Sequence, residues 1–203
     1  MKKTIILCLL LSHCFVAVRA QSREREPRKW PLMVSVFSEA WALPSTQLVK
    51  SPIHPGLSVG TSYTLRQTTR STVSLNGTLG YFYHKNIQNN LHLLATLGYQ
   101  HRVAGGLHVG TALGLGYSHS VYPIQVYQLE GGEYQKATDW GKSALAPSFE
   151  LNLGYTIHRH SPNPVTVFTR YQLLVEWPYA PENTFPALPH TLFHVGAKFY
   201  PFN

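Results

Sequence analysis

From residue 30 onward, large apolar or aromatic side chains alternate with small or polar ones in segments of roughly ten residues. The clearest segment puts Leu57, Val59, Thr61, Tyr63 and Leu65 on one face, with Ser58, Gly60, Ser62, Thr64 and Arg66 on the other. A second sets Val73, Leu75, Gly77, Leu79, Tyr81 and Tyr83 against Thr72, Ser74, Asn76, Thr78 and Gly80. A period of two is that of a β-strand with two unlike faces. Residues three and four apart do not share polarity, which excludes amphipathic helices over these segments.

The pattern predicts eight strands, over 30–39, 56–67, 71–84, 90–101, 106–118, 147–158, 165–177 and 190–202. Turn-forming residues fill the gaps: Thr68-Thr69-Arg70 and Arg102 to Gly105 make short turns, and 159–164 makes a third. The Pro-rich stretch 42–55, the segment 85–89, the irregular stretch 122–146 and 178–189 make the other set. The expected fold is all-β: an eight-stranded antiparallel transmembrane β-barrel with short periplasmic turns, longer outer loops and a first strand that starts from the inside. Each segment is long enough for the 9 to 11 residues that a tilted strand needs to cross a bilayer. The sheet must close, because an open edge in lipid leaves N–H and C=O groups unpaired at several kcal/mol each. A soluble barrel would hide the apolar face and show the polar one, whereas here the apolar face is the more regular. No stretch after residue 20 reaches eighteen consecutive apolar residues, so a transmembrane helix is excluded.

The N-terminus changes the picture. Lys2 and Lys3 precede an apolar run, and Val18-Arg19-Ala20 offers small residues at the −3 and −1 positions of a signal-peptidase site. The expected organisation is a signal peptide at 1–20, a disordered tail at 21–29 and the barrel at 30–203. Cys8 and Cys14 both fall in the leader, so the exported chain is expected to carry no disulfide and no thiol chemistry. The net charge of +8 shrinks as well: without Lys2, Lys3 and Arg19 there are 14 basic residues against 9 acidic ones. Four of those basic residues crowd into 23–29 and the rest are scattered, which speaks against nucleic acid as a partner. Charged residues are only 13% of the chain, while Tyr reaches 12 and Gly 15, a composition suited to a wall between lipid and a tight interior.

With the aromatic face toward lipid, Arg66, Glu39, Glu150, Arg170, Glu176 and Lys198 turn inward, and the expectation is a polar network inside the barrel. An interior of eight strands is filled by side chains rather than open to solutes, so such charges must pair. In the first strand Phe37 shares a face with Ser35 and Glu39, which makes its register the least regular. Tyr81, Tyr83, Tyr99, Tyr117, Tyr155, Trp177 and Phe199 fall near strand ends, where amphipathic rings favour the membrane interface. His92, His108 and His194 also face inward, but the eighth strand adjoins neither the fourth nor the fifth. With no HExxH and no cysteine cluster, the expectation is no metal site and no cofactor.

Tyr117-Ser118-His119-Ser120, at the outer end of the fifth strand, supplies hydrolase components, while a second polar cluster, His158-Arg159-His160-Ser161 with Asn163, falls on an expected periplasmic turn, away from outer-leaflet lipid. His119 as base, Ser120 as nucleophile and Glu130 or Glu133 as acid make up the candidate set, since acyl transfer needs those three roles within hydrogen-bond reach.

The leader, the eight alternating segments and the ending His194-Val195-Gly196-Ala197-Lys198-Phe199-Tyr200-Pro201-Phe202-Asn203 resemble a small outer-membrane β-barrel protein of the OmpA/OmpX-like kind. The ending is similar to the aromatic-rich last strand that the barrel assembly machinery recognises, with Asn203 added after Phe202. The composition resembles small barrels of the Bacteroidota group. The resemblance implies the outer membrane as location, and outer-membrane lipids, lipopolysaccharide and the assembly machinery as partners. It leaves no room for an appended peptidoglycan-binding domain. It implies a non-enzymatic role in envelope structure, or as an accessory or binding subunit of a larger outer-membrane complex, with small outward residues such as Gly77, Ala95 and Thr111 as a seam. Lipid A deacylases and acyltransferases share the eight-stranded barrel, which makes acyl transfer at the rim the alternative. That family carries its His and Ser two positions apart, unlike His119-Ser120.

Overall fold

The computed structural model describes residues 30–40, 53–85, 88–123, 125–138, 140–157, 161, 163–179 and 186–201. The expected leader, the tail at 21–29, most of the Pro-rich connection and the terminal Phe202-Asn203 lie outside them.

The chain runs β1 (Leu32–Ala40), β2 (His54–Gln67), β3 (Ser71–Tyr83), β4 (Asn89–Ala104), β5 (Leu107–Val121), β6 (Val126–Glu130), β7 (Glu133–Ala137), β8 (Lys142–Leu145), β9 (Ser148–Ile157), β10 (Val165–Glu176) and β11 (Leu188–Phe199). All neighbours in the main sheet are antiparallel. β1 pairs with β11 and β4 with β5, so the sheet closes on itself. β8 and β9 are two halves of one wall strand, because both pair with β5, at Tyr117–Ser120 and Leu107–Gly114 respectively. Counted this way, the barrel has eight strands.

The break between β8 and β9 falls at Ala146-Pro147, where Pro147 has no N–H to give the ladder. The wall continues across it: Ala146 N donates to Gly116 O at 2.9 Å and Val175 N donates to Pro147 O at 3.0 Å. The stretch expected to be irregular at 122–146 is therefore structured in part. It holds the β6–β7 hairpin and the outer half of the sixth wall strand. Gly131 and Gly132 turn that hairpin with φ of 64° and 88°, values that suit a two-residue turn and favour glycine.

At one end of the barrel the wall strands are joined by three, two and seven residues; at the other by thirteen, five, twenty and eleven. Outer-membrane barrels carry short turns on the periplasmic side and longer loops outside, so these are a turn end and a loop end, with β1 starting at the turn end. The five-residue connection at 84–88 is shorter than the turn at 158–164, so the alternation of lengths is not strict.

The two faces are inverted relative to a soluble protein. Among the described residues, ten buried side chains are apolar and twenty-one are polar or charged. Leu57, Val59, Leu65, Leu75, Leu79, Leu93, Leu97, Leu113, Leu151 and Leu153 are exposed on the outside. Tyr81, Tyr83, Tyr117 and Trp177 ring the loop end of that apolar belt, and Tyr99 and Tyr155 the turn end. β1 follows the same rule once Phe37 is read as an inward residue: Met33, Ser35, Phe37 and Glu39 are buried. Space for the Phe37 ring comes from Gly56 opposite it on β2, where a Cβ would run into the ring. Gly80 does the same for the His92 imidazole.

The apolar belt sets the first expected outcome. Leu97, on β4 and 54% exposed, is opposite Leu75 and Leu113. Leu97→Arg is expected to lower the unfolding free energy by about 2–4 kcal/mol in urea titrations of the barrel in phospholipid vesicles, the cost of a cation facing hydrocarbon.

Candidate functional site

Inward side chains fill the barrel in three levels. At the loop end, the Glu39 carboxylate accepts from His84 Nδ1 at 2.6 Å on one oxygen and from His190 Nδ1 at 2.8 Å on the other. His54 Nδ1 lies 3.5 Å from the same oxygen as His84, and the His54 and His84 rings stack with centroids 3.5 Å apart. Beside this group, Glu176 Oε1 accepts from Gln88 Nε2, Ser118 Oγ and Ser120 Oγ, each at 2.9 Å, and from Asn90 Nδ2. His190 stands between the two carboxylates, with Nε2 3.7 Å from Glu176.

Both carboxylates are almost wholly buried, a position that costs several kcal/mol per charge unless donors replace the lost water. For Glu176 the donors are neutral amides and hydroxyls from β4 and β5 and from the residue just before β4. For Glu39 they are imidazoles from the residue just after β3 and from β11.

The middle level is apolar. Phe37, Phe82, Leu94, Ala146, Leu174 and Leu192 form one buried cluster. His194 and His92 edge into it: the His194 ring is 4.4 Å from Phe37, and its Nδ1 is 3.0 Å from Ser35 Oγ, which continues to Ser58 Oγ at 2.7 Å. His92 Nδ1 donates to Asn90 Oδ1 at 2.9 Å.

The turn-end level holds a cavity of about 90 Å³ lined by Asn76, Gln100, Glu150, Asn152, Arg170 and Lys198 among others. Arg170 Nε donates to Asn152 Oδ1 at 2.9 Å and is 3.4 Å from Glu150 Oε2. A polar space of this size has room for a few water molecules.

The residues expected in one interior network are thus divided. Glu150, Arg170 and Lys198 share the turn-end cavity, and Glu176 belongs to the loop-end cluster beyond the apolar level. Arg66 is not inside: it is exposed near the end of β2, past the bulge at Thr64/Arg66 that shifts its register. His92, His108 and His194 are not brought together either, since His108 sits at the turn end with Nε2 2.7 Å from Thr156 Oγ1. Of the small outward residues, Gly77 and Ala95 are direct cross-strand partners, but Thr111 pairs with Tyr99 at another height.

The rim set comes apart for a geometric reason. Ser120 points inward to Glu176, and His119, the next residue along an extended strand, points the other way. His119 Nδ1 instead meets Tyr117 Oη at 3.3 Å and Ser143 Oγ at 3.5 Å, on the outer face. Glu130 and Glu133 are exposed in the β6–β7 hairpin. Among the described residues no carboxylate lies within 4 Å of His119.

His54, His84, Gln88, Asn90 and His190 were not singled out from the sequence as members of one site. Their signal was available in the alternation: His54 continues the inward row Gly56, Ser58, Gly60, His84 continues Thr78, Gly80, Phe82, and His190 continues Leu192, His194. Reading 42–55 and 85–89 as loops leaves out His54 and Gln88, whereas His84, Asn90 and His190 fall inside the expected strands.

A closed barrel with an apolar outer belt, aromatic girdles and a polar lumen is an outer-membrane β-barrel of the small eight-stranded class, and the outer membrane is where the chain resides. No protein-family model matches the chain, and no curated protein matches it. Among solved structures it is similar to neisserial surface protein A (NspA), at 10% identity and TM-score 0.49, over 84% of this chain and 96% of that one. It is also similar to the attachment invasion locus protein Ail of Yersinia pestis, at 11% and 0.47, over 84% and 95%. The outer-membrane enzyme PagL matches at 10% and 0.46, over 83% and 97%.

Four donors on one buried carboxylate oxygen make Glu176 the residue on which the loop-end level is hung. Glu176→Ala is expected to lower the unfolding free energy by about 3–5 kcal/mol, against about 1 kcal/mol for Ser118→Ala, in urea titrations in vesicles.

Proposed function

We propose that this barrel is a non-enzymatic, non-conducting component of the outer membrane that acts in envelope structure or as an accessory or binding subunit, with its loop end as the working surface. The observation that carries this reading is the filled lumen. The apolar cluster around Phe37 and Phe82 lies across the barrel beneath the Glu39 and Glu176 groups, and on this reading it blocks an aqueous path along the lumen. The loop end also carries the extra β6–β7 hairpin, whose Tyr127, Leu129 and Tyr134 side chains are exposed. Exposed aromatic and apolar groups on a loop are suited to a partner surface. On this reading the partners are outer-membrane lipids and lipopolysaccharide along the belt, the assembly machinery during insertion, and a protein of a larger outer-membrane complex at the hairpin.

The acyl-transfer reading has one observation in its favour, the outward Tyr117, His119 and Ser143 group at the loop-end rim. Among the described residues it lacks the acid that orients a catalytic imidazole.

Three measurements test the proposal. Purified barrel in planar bilayers is expected to give no stepwise conductance. Mass spectra of lipid A from cells with and without the protein are expected to show the same acylation. Affinity purification from outer membranes in mild detergent is expected to recover a stoichiometric protein partner. Stable conductance steps or a lost acyl chain would overturn the assignment.

A further inference from the structure

We propose that Glu39, His54 and His84 form a binding site for a divalent transition-metal ion of the zinc type at the loop end of the lumen, an inference that goes beyond the structural role argued above. One ligand atom from each of Glu39, His54 and His84 lies within 4.8 Å of the other two, and Glu39 Oε2 is 3.5 Å from His54 Nδ1 and 2.6 Å from His84 Nδ1. They come from three consecutive strands, β1, β2 and the residue just after β3.

Two imidazoles and one carboxylate are a known zinc donor set with a fourth position left open. Nitrogen and oxygen ligands about 2.0–2.2 Å from a tetrahedral ion are about 3.3–3.6 Å apart. The 3.5 Å between His54 Nδ1 and Glu39 Oε2 already matches that separation. The 2.6 Å between His84 Nδ1 and the same oxygen is a hydrogen bond, which the ion would replace as the stacked His84 ring moves out by about 1 Å. With no thiolate and with imidazole nitrogen as the majority donor, the set favours zinc, nickel or copper over magnesium or calcium.

Electrostatics point the same way. Glu39 is only 2% exposed, and among the described residues the cationic side chains within 4 Å of its oxygens are imidazoles, with no lysine or arginine. A buried carboxylate with no permanent positive neighbour is the residue that a divalent cation would neutralise. The outer shell is in place too. His190 Nδ1 donates to the second Glu39 oxygen at 2.8 Å, fixing the carboxylate plane as the hydrogen-bonded ligands of metal sites are fixed. The way in is past His54, the most exposed of the three with 14% of its side chain accessible. Bound there, the ion would clasp the loop ends of β1, β2 and β3.

The test uses untagged, detergent-solubilised barrel stripped with chelator, with folding followed by heat-modifiable migration in gels. After dialysis against zinc, elemental analysis is expected to find one zinc per folded chain, and cobalt substitution is expected to give the visible bands of a four-coordinate site. His54→Gln, the least intrusive change, is expected to lower zinc affinity at least tenfold while the barrel stays folded. His190→Gln is expected to cost about 10–100-fold through the outer shell. His108→Gln, at the opposite end, is expected to bind as the parent does. Folded parent protein without stoichiometric zinc would overturn the proposal. So would a folded His54→Gln variant that binds zinc as tightly as the parent; should His84→Gln fail to fold, the His54 result alone decides.

Discussion

Everything in this molecule depends on the need to pair backbone N–H and C=O groups where no water reaches them. β1 meets β11 through nine residue pairs, and that contact removes the last open edge of the sheet. Once the sheet is closed, inward side chains from eight strands share a narrow lumen, and polar groups that a single strand would leave in water become buried together. The inversion of the faces follows. Lipid takes the apolar row, and the polar row has only itself for company.

The lumen solves this crowding level by level. Glycine on one strand is set against a large ring on the next, as Gly56 faces Phe37 and Gly80 faces His92, so the apolar middle fills with few side chains. The charged groups are kept to the two ends. Glu150, Arg170 and Lys198 have cavity space for water, and Glu39 and Glu176 rely on fixed donors instead. That difference matters for function. The turn end neutralises its carboxylate with a permanent cation at 3.4 Å, whereas Glu39 is met by imidazoles, whose charge depends on a proton or can be replaced by a metal ion.

The loop end is also where the wall is least regular. The sixth wall strand is broken at Pro147, and the chain leaves the barrel to form the β6–β7 hairpin before returning as β8. Tyr117, His119 and Ser143 cluster on the outer face of that repaired stretch, across the wall from Ser118 and Ser120. A one-residue step along β5 therefore separates two chemical environments, one facing the membrane rim and one facing Glu176.

The alternation by itself determined the strand count, the strand limits to within a few residues except for the outer half of the sixth wall strand, and the face of nearly every wall side chain, because a period of two is a local property of extended backbone. It placed Glu150, Arg170, Glu176 and Lys198 on the polar row, and His92, His108 and His194 with them. It did not determine height. Which inward residues meet depends on the register of each pairing, on the bulge that carries Arg66 out to solvent, and on the closure of β1 against β11. Glu39, His54, His84 and His190 are far apart in sequence and become neighbours only through three such registers. The tertiary structure alone decided that site, because a strand's sequence fixes the side a residue faces and only its partners fix what stands opposite.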